Sequence, residues 1–137
     1  MKVERIVAPP EAAVDPLLML PMVTGQLLDY PETRMIIYPG GQQLSAAKTY
    51  MVASGKEPGE IINIGFDLSP AILEGFREGY IQLTSDQQPY LQGFLPVLSV
   101  FLTERFQLSG IVFDTGLGLI DKNNFEDVAT LVDKGIR

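Results

Sequence analysis

The chain has 137 residues, 46% of them hydrophobic and 20% charged, with a net charge of −7 and a pI near 4.4. That size and apolar content predict one globular domain, burying roughly two-thirds of its unfolded surface, and exclude a disordered chain. The acidic balance, without any Lys/Arg cluster, excludes nucleic acid and anionic membrane surfaces as partners, and the absence of Cys and His excludes thiol nucleophiles, Ser-His-Asp triads and Cys/His zinc sites.

In chain order, Val3–Val7 reads as a strand ended by Pro9-Pro10. Asp15-Pro16 starts a helix, with Asp as N-cap and Pro at the first helical position, running from Leu17 to Tyr30. Pro21 predicts either a kink or a later true start, because an interior Pro costs ~3 kcal/mol. Arg34–Tyr38 is a short strand leading into Pro39-Gly40-Gly41. A helix from Gln43 to Ser54 puts Leu44, Ala47 and Met51 on one face and stops at Gly55.

Ile61–Phe66 is the clearest strand, and after Asp67 the pair Ser69-Pro70 opens a helix with Ile72, Leu73 and Phe76 inward and Gly79 as its stop. Tyr80–Ser85 is a further strand. Pro89–Phe106 is a long helix interrupted by Pro96. Ile111–Phe113 and Leu117–Ile120 are short extended pieces, and Asn124 caps a last helix through Phe125, Val128, Leu131 and Val132. Strands alternating with helices of this length imply βαβ units, hence an α/β fold with a parallel sheet flanked by helices, in a single domain spanning 1–137. No apolar run reaches the ~18 residues of a membrane span, and residues 1–20 lack the order of a signal peptide. A soluble chain without an export signal is expected.

In open parallel sheets, ligands sit beyond the carboxyl ends of the strands. Three loops fall there: Pro39-Gly40-Gly41-Gln42, Asp67-Leu68-Ser69 and Asp86-Gln87-Gln88. Asp67 suits either a hydrogen-bond acceptor for a ligand or an N-cap for the helix at Ser69-Pro70. The acidic residues Glu57, Glu60, Glu74 and Asp86 form no spaced metal pattern and read as a solvated face. Met19, Met22, Met51 and Tyr50 read as core or rim.

The run Ile64-Gly65-Phe66-Asp67-Leu68-Ser69-Pro70, then Glu78-Gly79-Tyr80-Ile81, then Thr84-Ser85-Asp86-Gln87-Gln88-Pro89-Tyr90-Leu91-Gln92-Gly93, resembles the ribose-type, type I periplasmic sugar-binding proteins of bacterial ABC importers. The resemblance covers Ile61 to Arg137 and, more loosely, everything from the first strand. Several linked motifs in order make it specific. It implies the C-terminal lobe of a bilobed protein that closes on a sugar or polyol and docks on an ABC permease, with no enzymatic activity, no cofactor and a periplasmic or extracellular location. It implies that residues 1–87 are βα units of that lobe, and 88–137 a crossover helix and its return.

By the same resemblance, Asp67 matches a strand-end aspartate that accepts from sugar hydroxyls, and Gln87 a hinge glutamine that bonds the sugar. Gln87 equally suits a hinge residue bonding backbone. Where the family places Asn or Asp, this chain has Pro39-Gly40-Gly41, so Gly40 and Gly41 are left to offer backbone N–H groups. The family's N-terminal lobe and the opening βα units of the C-terminal lobe have no counterpart in this sequence. The 89–106 helix then loses the cover of the other lobe and is expected to pack on its own sheet, to homodimerise with exchange of elements, or to pair with a complementary N-terminal half.

Two rival motifs fail on context. Ile111-Val112-Phe113-Asp114-Thr115-Gly116 imitates an aspartic-protease signature but sits late in an alternating α/β chain. Pro39-Gly40-Gly41 lacks the lysine spacing of a phosphate loop.

Overall fold

Ile62–Phe66 (β2) is a central strand, flanked on both sides by parallel neighbours. The computed structural model describes residues 2–116 and 118–137; Leu117, the first residue of the expected piece Leu117–Ile120, lies outside them. Met35–Ile37 (β1) and Leu83–Asp86 (β3) pair with β2, Met35 facing Ile62 and Ile64 facing Leu83. Gly118–Asp121 (β4) pairs with β3 antiparallel, Asp86 facing Gly118, in the order β1-β2-β3-β4. The expected parallel sheet is therefore corrected at its last strand. The chain re-enters the sheet at the end where β3 leaves it, so no crossover intervenes.

The helices are Leu20–Asp29 (α1), Gly41–Ser45 (α2), Ala47–Ala53 (α3), Pro70–Arg77 (α4), Pro89–Phe106 (α5) and Phe125–Asp133 (α6). Asp15 caps a short 3-10 turn, Pro16–Met19, by accepting from the Leu17 N–H. The true α-helix starts at Leu20, with Pro21 in its first turn, where a missing N–H costs nothing. The single helix expected over 43–54 starts earlier and breaks in two at Ala46, whose N–H turns to the Gln43 carbonyl three residues back. Ser69 caps α4 by accepting from the Ile72 N–H, and Gly79 turns the chain at φ +79. Tyr80 and Ile81 donate to the Gly75 carbonyl, closing α4 instead of starting the strand expected there.

Ile72, Leu73 and Phe76 of α4 meet Leu44, Ala47, Tyr50 and Met51 of α2 and α3 and Val128 and Val132 of α6 in one core over one face of the sheet. Burying the three α4 side chains contributes roughly 6 kcal/mol. Met19 and Met51 are core and Met22 half-buried, as expected. Tyr50 stacks on Tyr38, with ring centroids 5.9 Å apart, and donates to the Pro16 carbonyl at 2.6 Å. Burial pushes the Tyr50 phenol up to about 12 and that of Tyr38 higher still.

Two expectations fail beside this core. Val3–Val7 forms no strand: β1 bonds only to β2, and the segment stays outside the sheet with only Ile6 against the core. The 89–106 helix forms but does not pack on its own sheet, and none of its residues is buried.

Candidate functional site

The carboxyl ends of β1, β2 and β3 lie side by side, and the loops leaving them enclose an open depression of about 610 Å³. Pro39, Gly40, Gly41, Gln42, Asp67, Leu68 and Ser69 line it, with Pro89 at the start of α5. A smaller hollow of about 280 Å³ lies between the carboxyl ends of α1 and α3, lined by Thr24, Leu27, Leu28, Pro31, Ser54 and Lys56.

Asp67 sits in the left-handed region at φ 67, a conformation costly for most side chains and tolerated best by Asn and Asp. Hydrogen bonds on both sides hold it there. Its N–H donates to the Ser85 carbonyl at 2.9 Å, and its carbonyl accepts from Thr84 Oγ1 at 2.7 Å. Thr84 is wholly buried, so the strand end is fixed from inside the core. The cap of α4 is Ser69 and not Asp67, which leaves the Asp67 carboxylate free of that duty.

Gln87 Nε2 donates to Asp67 Oδ1 at 3.1 Å. The acid and the amide singled out in the sequence therefore stand together at the sheet edge. Among the described residues Oδ2 takes no protein hydrogen bond. Gln87 itself is not on the wall of the depression and reaches it only through Asp67.

Gly41 is required by close approach. A Cβ there would stand 2.9 Å from Asp67 Cβ and 3.0 Å from Oδ2. Gly40 is confined by Gln43, whose Oε1 would lie 2.9 Å from an added Cβ. The buried Gln43 is itself anchored to the Ala12 carbonyl at 2.7 Å. The two glycines thus let the first loop close down on the carboxylate.

One member of the third loop was misjudged. Asp86 belongs to no solvated face: it is 0% exposed. Its Oδ1 accepts from the Gln88 N–H at 2.9 Å, and Arg137 Nε lies 3.2 Å from Oδ2 in an ion pair whose alignment falls short of a hydrogen bond. That arrangement holds Gln88 at φ 55 and directs the chain from β3 into α5. No local sequence signal joins Asp86 to Arg137. Asp114 is exposed and accepts from the Gly116 N–H at 2.9 Å, a turn of its own making with no second carboxylate in contact. Among the described residues no acidic cluster is arranged for a metal, and no helix is long and apolar enough to cross a membrane.

A fixed carboxylate with one free oxygen, backed by an amide, offers acceptors to hydroxyl groups.

No family model matches the sequence. Among curated proteins, the xylose/arabinose-binding protein XylF of Sulfolobus acidocaldarius is 41% identical over 73 residues, which is 50% of this chain and 17% of that protein. Among solved structures, a carbohydrate transporter from Acidothermus cellulolyticus, in complex with myo-inositol, superposes with a TM-score of 0.76 at 24% identity over 87% of this chain and 42% of that one. GanP, a glucose-galactose binding protein from Geobacillus stearothermophilus, gives 0.71 at 20% identity over 88% and 43%. The chain spans less than half the length of each of these proteins, all of them carbohydrate binders or transporters and none an enzyme. It is a partial match to the carbohydrate solute-binding proteins of ABC transporters, with the fold of about two-fifths of such a protein and, over half its own length, a sequence related to one.

Proposed function

We propose that the depression beyond β1–β3 binds the hydroxyl groups of a sugar or polyol, as part of a solute receptor for an ABC permease on the periplasmic or extracellular side. The observation that carries this reading is the Asp67–Gln87 pair, 3.1 Å apart, on the strand ends that border the depression. Its volume of about 610 Å³ falls in the range of small-molecule sites. Asp67 Oδ2 accepts one hydroxyl, Gln87 keeps the carboxylate in place, and Gly40 and Gly41 admit the ligand close to backbone. An analogue without the hydroxyl leaves that oxygen unpaired and binds more weakly.

The depression is open, so one face of the ligand stays wet and affinity is low, on the order of millimolar. Thermal shift resolves such binding. At a sugar concentration ~100 times Kd the gain is roughly 2.7 kcal/mol, or about 8–10 °C for a chain of this size. Pentoses, hexoses and myo-inositol form the screen. Stabilisation by one of them, lost in Asp67→Ala, supports the reading, and silence across all of them refutes it. A second reading, an interaction fragment of the same fold without a ligand, is favoured by the exposure of α5 and predicts that silence.

A further inference from the structure

We propose that Gln43 supplies a second hydroxyl acceptor to the depression, its side-chain oxygen taking one hydroxyl of a sugar or polyol while Asp67 takes another. This rests on the depression being a sugar site, and it adds a residue set back from the strand ends, inside α2.

Gln43 is 9% exposed and lines the depression. Burying an amide is costly unless its polar atoms find partners. One of them has: Nε2 donates to the Ala12 carbonyl at 2.7 Å. Ala12 is wholly buried, in the turn Pro10–Ala13, whose last residue lines the same depression. That bond also settles the orientation of the amide, since only its nitrogen can donate to a carbonyl. Among the described residues Oε1 takes no hydrogen bond, and it is not sealed off from solvent. An acceptor with two lone pairs therefore opens on the depression with no protein donor to fill it.

The first loop shows what this oxygen replaces. A Cβ at residue 40 would stand 2.9 Å from Gln43 Oε1, and a Cβ at residue 41 would stand 3.0 Å from Asp67 Oδ2. The two free acceptors thus lie against consecutive residues of one loop, in space that side chains of that loop would otherwise fill. Gly40 is extended, at φ −156, which any residue adopts. The nearness of Oε1, and not the backbone, asks for glycine there.

Both acceptors are set before a ligand arrives. Gln43 is held through Ala12 and Asp67 through Gln87, each leaving one oxygen free, so little side-chain order is lost on binding. No Lys or Arg stands among the lining residues. One charged and one neutral acceptor call for a ligand with at least two hydroxyl donors. A phosphorylated or carboxylated sugar is repelled by Asp67 and finds no cation.

The test is a titration of the isotope-labelled chain with the sugar or polyol that stabilises it most, following the Gly40 and Gly41 amide signals by NMR. Gln43→Met nearly keeps the volume and removes the amide, and its Kd should rise by roughly three- to tenfold, the loss of one neutral hydrogen bond. One monodeoxy analogue of that ligand should bind the parent more weakly and yet bind Gln43→Met as well as the full ligand does. Gln43→Met also gives up the Ala12 anchor, so Gly40→Ala is the second variant. It retains the amide and sets a methyl group against Oε1, and its Kd should rise by a similar factor. If Gln43→Met does not fold, Gly40→Ala alone decides. A parent silent to every sugar overturns the sugar site and this role together. A parent whose response is abolished by Asp67→Ala but keeps its Kd in Gln43→Met and Gly40→Ala overturns this role alone, and Gln43 is then only a strut for the Pro10–Ala13 turn.

Discussion

Asp67 carries two burdens that one pair of substitutions can separate, a strained backbone and the free carboxylate oxygen of the site. Replacing it by Ala or by Gly removes the carboxylate and its bond to Gln87 equally. The two variants differ only in how they meet a φ of 67. Alanine suffers roughly 1–2 kcal/mol in the left-handed region. Glycine escapes that cost but loses roughly 0.5–1 kcal/mol more backbone entropy on folding. At the middle of both ranges glycine should therefore lead by about 0.8 kcal/mol, which for this length is a Tm about 2–3 °C above that of Asp67→Ala. Calorimetric melts of both variants, with and without a stabilising sugar, supply the reading. Neither should respond to sugar, while the Gly variant melts higher. An Ala variant as stable as the Gly variant would show that residue 67 is not held left-handed in solution, and the local account of the site would fall with it.

Other outcomes follow from neighbouring groups. Gly41→Ala should lower stability by about 1–2 kcal/mol, overpacking against Asp67 outweighing the better helix propensity at the start of α2, and should weaken any sugar response; unchanged melts would refute the close approach. Arg137→Ala leaves Asp86 buried without its cation and should cost roughly 3 kcal/mol in urea unfolding, whereas the double change Arg137→Ala/Asp86→Asn should recover part of that loss. Alkaline unfolding should set in above the ordinary tyrosine range. The Tyr38 and Tyr50 phenols are raised in the folded state, so above pH ~10 the unfolded chain binds fewer protons and stability falls. Each contributes a loss of about 1.4 kcal/mol per pH unit until its own folded value is passed, near 12 for Tyr50. Tyr50→Phe should soften that slope, and melts that stay flat from pH 10 to 12 would contradict it.

How far the sequence foretold these features depends on the range over which each is encoded. Ser69-Pro70 marks a helix start within two residues, and it is the start observed. Ile61–Phe66 announces a strand through its own β-branched run, and Ile62–Phe66 is the strand observed. Asp67 and Gln87 were legible because strand ends collect ligand groups and because their flanking motifs resemble a known family; the 3.1 Å between them confirms that they stand together and leaves their use to be tested. Pairings of distant segments were not legible. Arg137 meets Asp86 across more than the last third of the chain. The antiparallel β4 depends on where an excursion of some thirty residues returns, which no local pattern records. Val3–Val7 has strand composition but no strand beside it, and a strand is defined by its partner.

The same division explains how an open-faced fold can keep an ordered site. Among the groups that set Asp67, the buried Thr84 holds its carbonyl from the covered side of the sheet, the Ser85 main-chain carbonyl holds its N–H within the ladder, and Ser69 relieves it of capping α4. None of these contacts involves α5 or the outer face, where Met35, Ile37 and Leu119 stand exposed. Gln87 belongs to both regions, since its side chain bonds Asp67 while its carbonyl accepts from Gln92 at the base of the arm, and Pro89 opens α5 on the wall of the depression. A change in the arm reaches the site through these two residues. Covering would steady the first turn of α5 and with it the amide that orients the carboxylate, tightening sugar binding, while the backbone of residue 67 stays as it is. Gln92→Ala removes the bonds to the Gln87 carbonyl and to Thr115 together, so it should weaken any sugar response by loosening the amide behind Asp67, and a response unchanged by Gln92→Ala would leave the two regions uncoupled.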